Sequence, residues 1–424
     1  DTQEIIVATL AAFGMDRFNS VTALKLTDLS AQEAFNKGFQ WPAPPARPNV
    51  RYAEVDGKII LEWGSDLTRV LRTETEIGVG GDHAFEGYNL YQFSSPDADI
   101  SEARRFATFD VSNGVRTVFE RIYVEEYGTE SDVAIQFGKD SGIKRFFVFD
   151  RDYIRGIEKL SNGNPYHLAV TAYSVTPHAT GFQKALESNP VVLTVRPQQP
   201  FGTTLRAAFG DTVQVTRTGG TSGALLVPIV INPVTLLDAS YDVAVDTNTA
   251  SYQSSQIADG LVISRTDTVV HVPVKTDETA PIFDGIQWKL INAPAATDAF
   301  SVSTSALTAS RDAASTQNSI ARVNVFPNPY YGINSLETHR FRPFVTFNNL
   351  PRRATIRIFN LAGHLITVLQ KDDDSQFLHW KLINSFNILI ASGMYIAHLE
   401  FPDLGQTKIL KLSVILEQVI PETY

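Results

Sequence analysis

Tyr166-His167-Leu168-Ala169-Val170-Thr171-Ala172-Tyr173 decides the fold class. Its apolar residues recur at every second position, so Tyr166, Leu168, Val170 and Ala172 share one face of a strand rather than one stripe of a helix. The same period runs through Gly57-Lys58-Ile59-Ile60-Leu61-Glu62-Trp63, where Ile59, Leu61 and Trp63 fall together. Phe85-Glu86-Gly87-Tyr88-Asn89-Leu90-Tyr91 reads as a further strand. The chain has 424 residues, 43% of them hydrophobic and 19% charged, which is too long for one sandwich core. The expectation is an all-β protein of several consecutive β-sandwich domains with a short N-terminal helical segment.

These three strands resemble the fibronectin type III family of immunoglobulin-like sandwiches. There a core Trp ends one strand, Gly-Tyr-x-Leu-Tyr forms another, and an Asn-Gly turn, here Asn162-Gly163, precedes Tyr-x-aliphatic-x-Val-x-Ala. The resemblance implies a first sandwich over residues 49–197. That span exceeds the usual sandwich of about 100 residues, so hairpins are expected to be inserted between residues 94 and 157, with strands near 117–124 and 145–149.

Ahead of this unit, residues 1–40 carry the apolar stretch Ile5-Ile6-Val7-Ala8-Thr9-Leu10 and the capping-box pattern Ser30-Ala31-Gln32-Glu33, followed by Gly38. That spacing predicts a short helix over 31–37. Pro42, Pro44, Pro45 and Pro48 make 41–48 an extended proline linker. Behind the first unit, residues 196–202 read as a second linker and 203–308 as a second β-sandwich. Pro228 and Pro273 have no N–H to donate, which predicts edge strands or bulges for their segments. Residues 301–318, rich in Ser, Thr and Ala, read as a third linker.

The last quarter carries five motifs in order. They are Val325-Phe326-Pro327-Asn328-Pro329, Val345-Thr346-Phe347, Ile356-Arg357-Ile358-Phe359-Asn360-Leu361-Ala362-Gly363, Ala391-Ser392-Gly393-Met394-Tyr395, and the final run Lys408-Ile409-Leu410-Lys411-Leu412. The set resembles the C-terminal domain of type IX secretion cargo from Bacteroidota, a β-sandwich, over residues 321–415. The resemblance implies export. Residues 416–424 form a C-terminal extension beyond that domain.

A formal net charge of -10 argues against nucleic acid as a partner, since phosphate contacts need a basic face, and the short clusters Arg104-Arg105 and Arg352-Arg353 read as solvated turns. No apolar run reaches the length of a transmembrane segment. With no cysteine there is no disulfide, thiolate metal site or thiol nucleophile.

The search for chemistry returns bland readings. Asp82-His83 and His398 near Glu400 are loop and outward strand positions rather than base–acid pairs. Gly78-Val79-Gly80-Gly81-Asp82-His83 fails the dinucleotide spacing, and Gly219-Gly220-Thr221-Ser222-Gly223 fails the nucleophile-elbow spacing. Lys371-Asp372-Asp373-Asp374 lacks the alternation of a calcium loop. Asp211-Thr212-Val213 and Asp267-Thr268-Val269 match a short Asp-Thr-aliphatic glycosylation pattern that chance also supplies. Trp63 and Trp380 fall at core positions, whereas Trp41 and Trp288 are free to pack a domain junction or a sugar.

No catalytic, cofactor-binding or metal residue is assigned, no cofactor is expected, and the chain is read as not an enzyme. The functional expectation is a secreted, cell-surface structural or adhesive protein that self-associates through its ends (residues 5–10 and 416–420) into a fibre or surface layer. A cell-surface glycan is the other partner this reading admits. The competing reading is a non-catalytic accessory region, carbohydrate-binding in function, of a larger secreted hydrolase.

Overall fold

The structure is a computed structural model that describes every residue except 1–6, 8, 37, 40–41, 76–82, 125–128, 177–183, 247–249, 253–254, 258–259, 276, 333–336, 338–341 and 417–424. The fold is all-β. Its described strands pair antiparallel, apart from a short parallel contact between Tyr330–Tyr331 and Gln406–Ile415.

Arg51–Val55, Lys58–Glu62 and Phe146–Phe149 form one sheet in that order. Facing it lie Leu193–Val195, Tyr166–Val175, Ala84–Phe93 and Arg104–Asp110, also in order. Ile59, Leu61 and Trp63 meet Tyr88, Leu90, Leu168 and Val170 in one buried cluster, on the faces that the alternation assigned. Ile60, on the opposite face, is buried as well, against Ile231 and Ile282 of the next unit. Burial on both faces explains why Lys58–Glu62 reads as a nearly continuous apolar run.

The segment expected as an added hairpin strand at 145–149 is instead integral to this sandwich. Phe146–Phe149 pairs with Lys58–Glu62, placing Phe149 opposite Ile59. Phe147 and Phe149 join the core, while Phe146 and Val148 join the junction with the second unit. The other expected insertion does form a ribbon, Thr117–Val124 with Thr129–Phe137. It lies on the outer face of the four-strand path, where Val118 packs with Tyr173 and Val175.

In the second unit, Val215–Gly219, Ala299–Ser303, Ser240–Asp246, Gly260–Arg265 and Thr268–Pro273 form one sheet, and Leu225–Val230, Ile286–Ile291 and Ile282–Phe283 form the other. Pro228 and Pro273 both lie on edge strands, where a missing N–H breaks no ladder. In the last unit, Val325, Phe347, Ile356, Ile358, Tyr395 and Leu412, drawn from all five motifs, share one buried cluster.

The helices correct the sequence reading. Helix α1 spans Arg17–Asn36, not 31–37. It begins at Asp16, whose Oδ1 accepts from the N–H groups of Phe18 and Asn19, both at 2.8 Å. Ser30 lies inside the helix and donates its hydroxyl back to the Leu26 carbonyl at 3.2 Å, so it does not start the helix. Gly38, at φ 63°, closes the helix as expected.

Two further helices, α2 (Leu67–Thr75) and α3 (Ala313–Arg322), add to the single N-terminal helix expected from the sequence. The latter takes up residues 313–318 of the expected linker 301–318, with Asp312 accepting from Ser315 N–H at 2.7 Å as its N-cap.

Residues 196–202 are not a free linker either. Arg196 N–H donates to Glu54 at 2.9 Å, the carbonyl of Gln199 accepts from Gln376 at 2.7 Å, and Gly202 N–H donates to Ser319 at 2.9 Å. Residues 42–50 belong to no helix or strand, yet Pro45 is buried, so the proline segment lies against the protein.

Candidate functional site

Most candidates raised by the sequence resolve into structural roles. The glycine turn at 219–223 is built on Asp298, which is buried and accepts from Ser222, from Ala295 N–H at 2.8 Å and from Arg217 at 2.7 Å. The Ser222 hydroxyl, ahead of the Ala295 N–H, holds this carboxyl below the usual carboxylate range. Ser222 is therefore a turn latch with an acceptor, not a nucleophile with a base.

Lys371 is buried and donates to the carbonyls of Arg352 and Asp373, while Arg352 pairs with Asp372 and Asp374. The three aspartates thus face Lys371 of their own turn and Arg352 beside the neighbouring strand. Glu400 pairs with Arg357 at 2.6 Å, and that bond draws the carboxyl below its usual value. Among the described residues, no three His, Asp or Glu side chains are grouped as a metal site.

Trp288, read as free for a ligand, is wholly buried. Its ring edge meets Tyr241 at 5.2 Å and its indole N–H donates to the Phe283 carbonyl at 3.2 Å. This removes it as a sugar platform. Trp63 and Trp380 are core residues. Trp41, the glycine run 78–82 and the chain-end segments 1–6 and 417–424 lie outside the described residues.

The candidate site lies where the first two sandwiches meet. The junction is fixed on one side by Arg145, which holds Glu74 of α2 through two bonds of 2.8 Å and also donates to the Thr279 carbonyl of the second unit. On another side the two units leave a cleft of about 660 Å³. The first unit contributes Val50, Arg51, Tyr52, Glu62 and Ser65; the second contributes Asn232, Thr235, Leu237 and the hairpin tip Phe283-Asp284-Gly285.

Each wall has a local cause. Arg51 stands directly across the ladder from Glu62, so opposite charges face each other over neighbouring strands. Glu62 accepts from Ser65 N–H at 3.2 Å and from the Ser65 hydroxyl at 2.8 Å; burial nevertheless pushes its carboxyl above the usual value. Asp284-Gly285 is a two-residue hairpin turn with both φ values positive, 53° and 77°. A Cβ on Gly285 would sit 2.8 Å from the Asn232 carbonyl, so glycine lets the tip close against that loop.

Asp284 in turn accepts from the Tyr241 hydroxyl at 3.1 Å and pairs with Arg265 at 3.2 Å. The cleft therefore offers charged, amide and hydroxyl groups beside an aromatic ring, Tyr52, that is 46% exposed. The Asp-Gly dipeptide signalled the hairpin in the sequence. Nothing there joined it to residues 50–65.

A second feature is a helix packed back to front. In α1, Ala23 and Ala34 are buried, whereas Phe18, Val21, Leu29 and Phe35 are about half exposed or more. At 100° per residue the alanines lie on the opposite side from Phe18, Val21 and Leu29, with Phe35 on the flank between. The helix rests on the ribbon strands Thr117–Val124 and Thr129–Phe137.

No family model matches the chain, and no curated protein matches it. Among solved structures the chain is similar to PorZ, an essential bacterial surface component of the type-IX secretion system of Porphyromonas gingivalis, at 12% identity and a TM-score of 0.21 over 87% of this chain. It is also similar to dimeric latent PorU from the same organism, at 13% identity and 0.17 over 89% of this chain, and to a BSP domain of a biofilm associated protein, at 9% and 0.17 over 88%. The matches span 59% of PorZ, 34% of PorU and 82% of the BSP domain. Scores this low describe no shared arrangement of the whole chain.

Proposed function

We propose that this chain is a non-catalytic, exported surface protein, structural or adhesive in role, whose first sandwich is fibronectin III-like and whose last is a type IX secretion C-terminal-like signal. The observation that carries the reading is the single core of the last unit. The motif residues, gathered from positions 325 to 412, are packed into one sandwich, as expected if the ordered motifs specify one module. The packed junctions between units support a stem-like role, since residues 196–202 bond to the first unit and to the last. The exposed apolar side of α1 supports association with further copies.

The test is surface display in a bacterium with a working type IX pathway. The full chain should be labelled by an antibody on intact cells, and a variant lacking residues 321–424 should remain inside. Equal labelling of the two, or equal labelling in a strain without the pathway, overturns the export reading. Hydrolysis of a polymer by the purified chain, abolished by one point substitution, overturns the non-catalytic one.

A further inference from the structure

We infer that the cleft between the first two sandwiches is a saccharide-binding site, taking a neutral oligosaccharide of two or three rings. The volume, about 660 Å³, falls within the range of sites that enclose small ligands. The lining is unlike that of an apolar pocket. Arg51, Glu62, Ser65, Asn232, Thr235 and Asp284 put donors and acceptors of several kinds around one space.

The mixture selects the ligand class. An apolar molecule would strip water from these groups without replacing their hydrogen bonds. An anion would face Glu62 and Asp284, and a cation would face Arg51, so either simple ion meets its own sign. A ring of hydroxyls that both donate and accept can serve all of them. The Asp284 carboxylate is already held by Tyr241 and Arg265, which fixes its direction before a ligand arrives.

Tyr52 completes the chemistry. Tyr52 lines the cleft and is 46% exposed as a residue, so an aromatic side chain is available there for the C–H face of a sugar. The two walls come from different units, and Arg145 bridges those units elsewhere in the same junction. The cleft's walls, strand residues on one side and a hairpin tip with its neighbouring loop on the other, are thus set by the packing of the two units.

The inference rests on the surface reading only for the source of its ligand. Its test uses purified full-length protein and soluble sugars, so its failure would leave the export reading intact. Calorimetric titration with cellobiose, maltose, lactose, mannobiose and diacetylchitobiose should show saturable binding of at least one. Tyr52→Ala and Arg51→Ala, both exposed positions, should each weaken that binding about tenfold or more, while Tyr331→Ala, an exposed tyrosine in the last unit, should leave it unchanged. Binding by none of the five sugars overturns the proposal. So does binding that survives both cleft substitutions.

Discussion

Arg145 and Glu74 form a two-pronged ion pair in which Nε and Nη2 of the arginine donate at 2.8 Å to different carboxylate oxygens. The side chains are only 12% and 17% exposed. Tyr88 adds its hydroxyl to Glu74 at 2.8 Å, and Arg145 reaches the Thr279 carbonyl in the second unit. One charge pair therefore ties α2, the core of the first sandwich and its neighbour together.

Removing one partner should cost more than removing both. Glu74→Gln leaves the guanidinium withdrawn from water without its counter-charge and should destabilise the protein by about 3 kcal/mol. The double variant Glu74→Leu/Arg145→Met should recover most of that loss. Urea denaturation measures both. A loss below about 1 kcal/mol for the single variant would show that the pair behaves as an exposed one.

Glu86 makes stability fall as pH rises. It is buried, its Oε2 accepts from Asn113 at 2.8 Å, and its Oε1 has no hydrogen-bond partner among the described residues. Burial, against the Asn113 bond and reinforced by the charges of Asp110 and Asp140, pushes its carboxyl up to about 7. Between its ordinary 4.5 and about 7 the folded chain keeps a proton that the unfolded chain has released. This contribution is full below 4.5 and lost as pH rises through 7, with a size on the order of 2 kcal/mol after solvent screening. Glu86→Gln should flatten that part of the stability profile. An unchanged slope between pH 5 and 8 would rule Glu86 out as its source.

Alternation made the strands legible because each sandwich has an inside and an outside. Ile59, Leu61 and Trp63 could be assigned to one face from spacing alone. The helices were less legible because their signals are local and short. Asp16 caps α1 from a stretch with no apolar period, and Ser30, at a plausible capping spacing, sits inside the helix with its hydroxyl bonded back to Leu26. Linkers mislead for a different reason. Pro, Ser and Thr mark segments without strand pattern, but Arg196, bonded to Glu54, and Gln199, bonded to Gln376, show that such a segment can still be held by two units. The cleft was invisible because its walls, near residues 50–65, 232–237 and 283–285, come together only through packing.

Gly163 should tolerate no side chain. It has φ 86°, and a Cβ there would lie 2.5 Å from the Phe377 ring of the last unit. Gly163→Ala therefore combines left-handed backbone strain with a collision at the junction, a loss of about 2 kcal/mol or more. Adding Phe377→Ala should remove the collision and leave only the backbone part. Thermal unfolding of the single and double variants separates the two. If the double variant were no more stable than Gly163→Ala, the ring contact would carry none of the cost.

The last prediction concerns α1. A helix at a protein surface usually buries its large apolar residues and shows its small or polar ones. Here Ala23 and Ala34 are buried, while Phe18, at 68% exposed, and Leu29, at 60%, lie with Val21 on the opposite side of the helix. Small residues inside let the helix lie close to the ribbon strands, and large ones outside leave an apolar surface that water covers at a cost. Covering it with another copy of the chain would remove that cost, which agrees with a self-associating surface protein. The variant Phe18→Ser/Leu29→Ser should keep the alanine face, and with it the packing of α1 on the ribbon. In sedimentation at micromolar concentration it should shift the protein toward monomer, whereas Ala23→Leu, which crowds the inner face, should disturb folding instead. A parent protein already monomeric under those conditions, or an oligomer unchanged by the two serines, would mean that α1 does not carry the association.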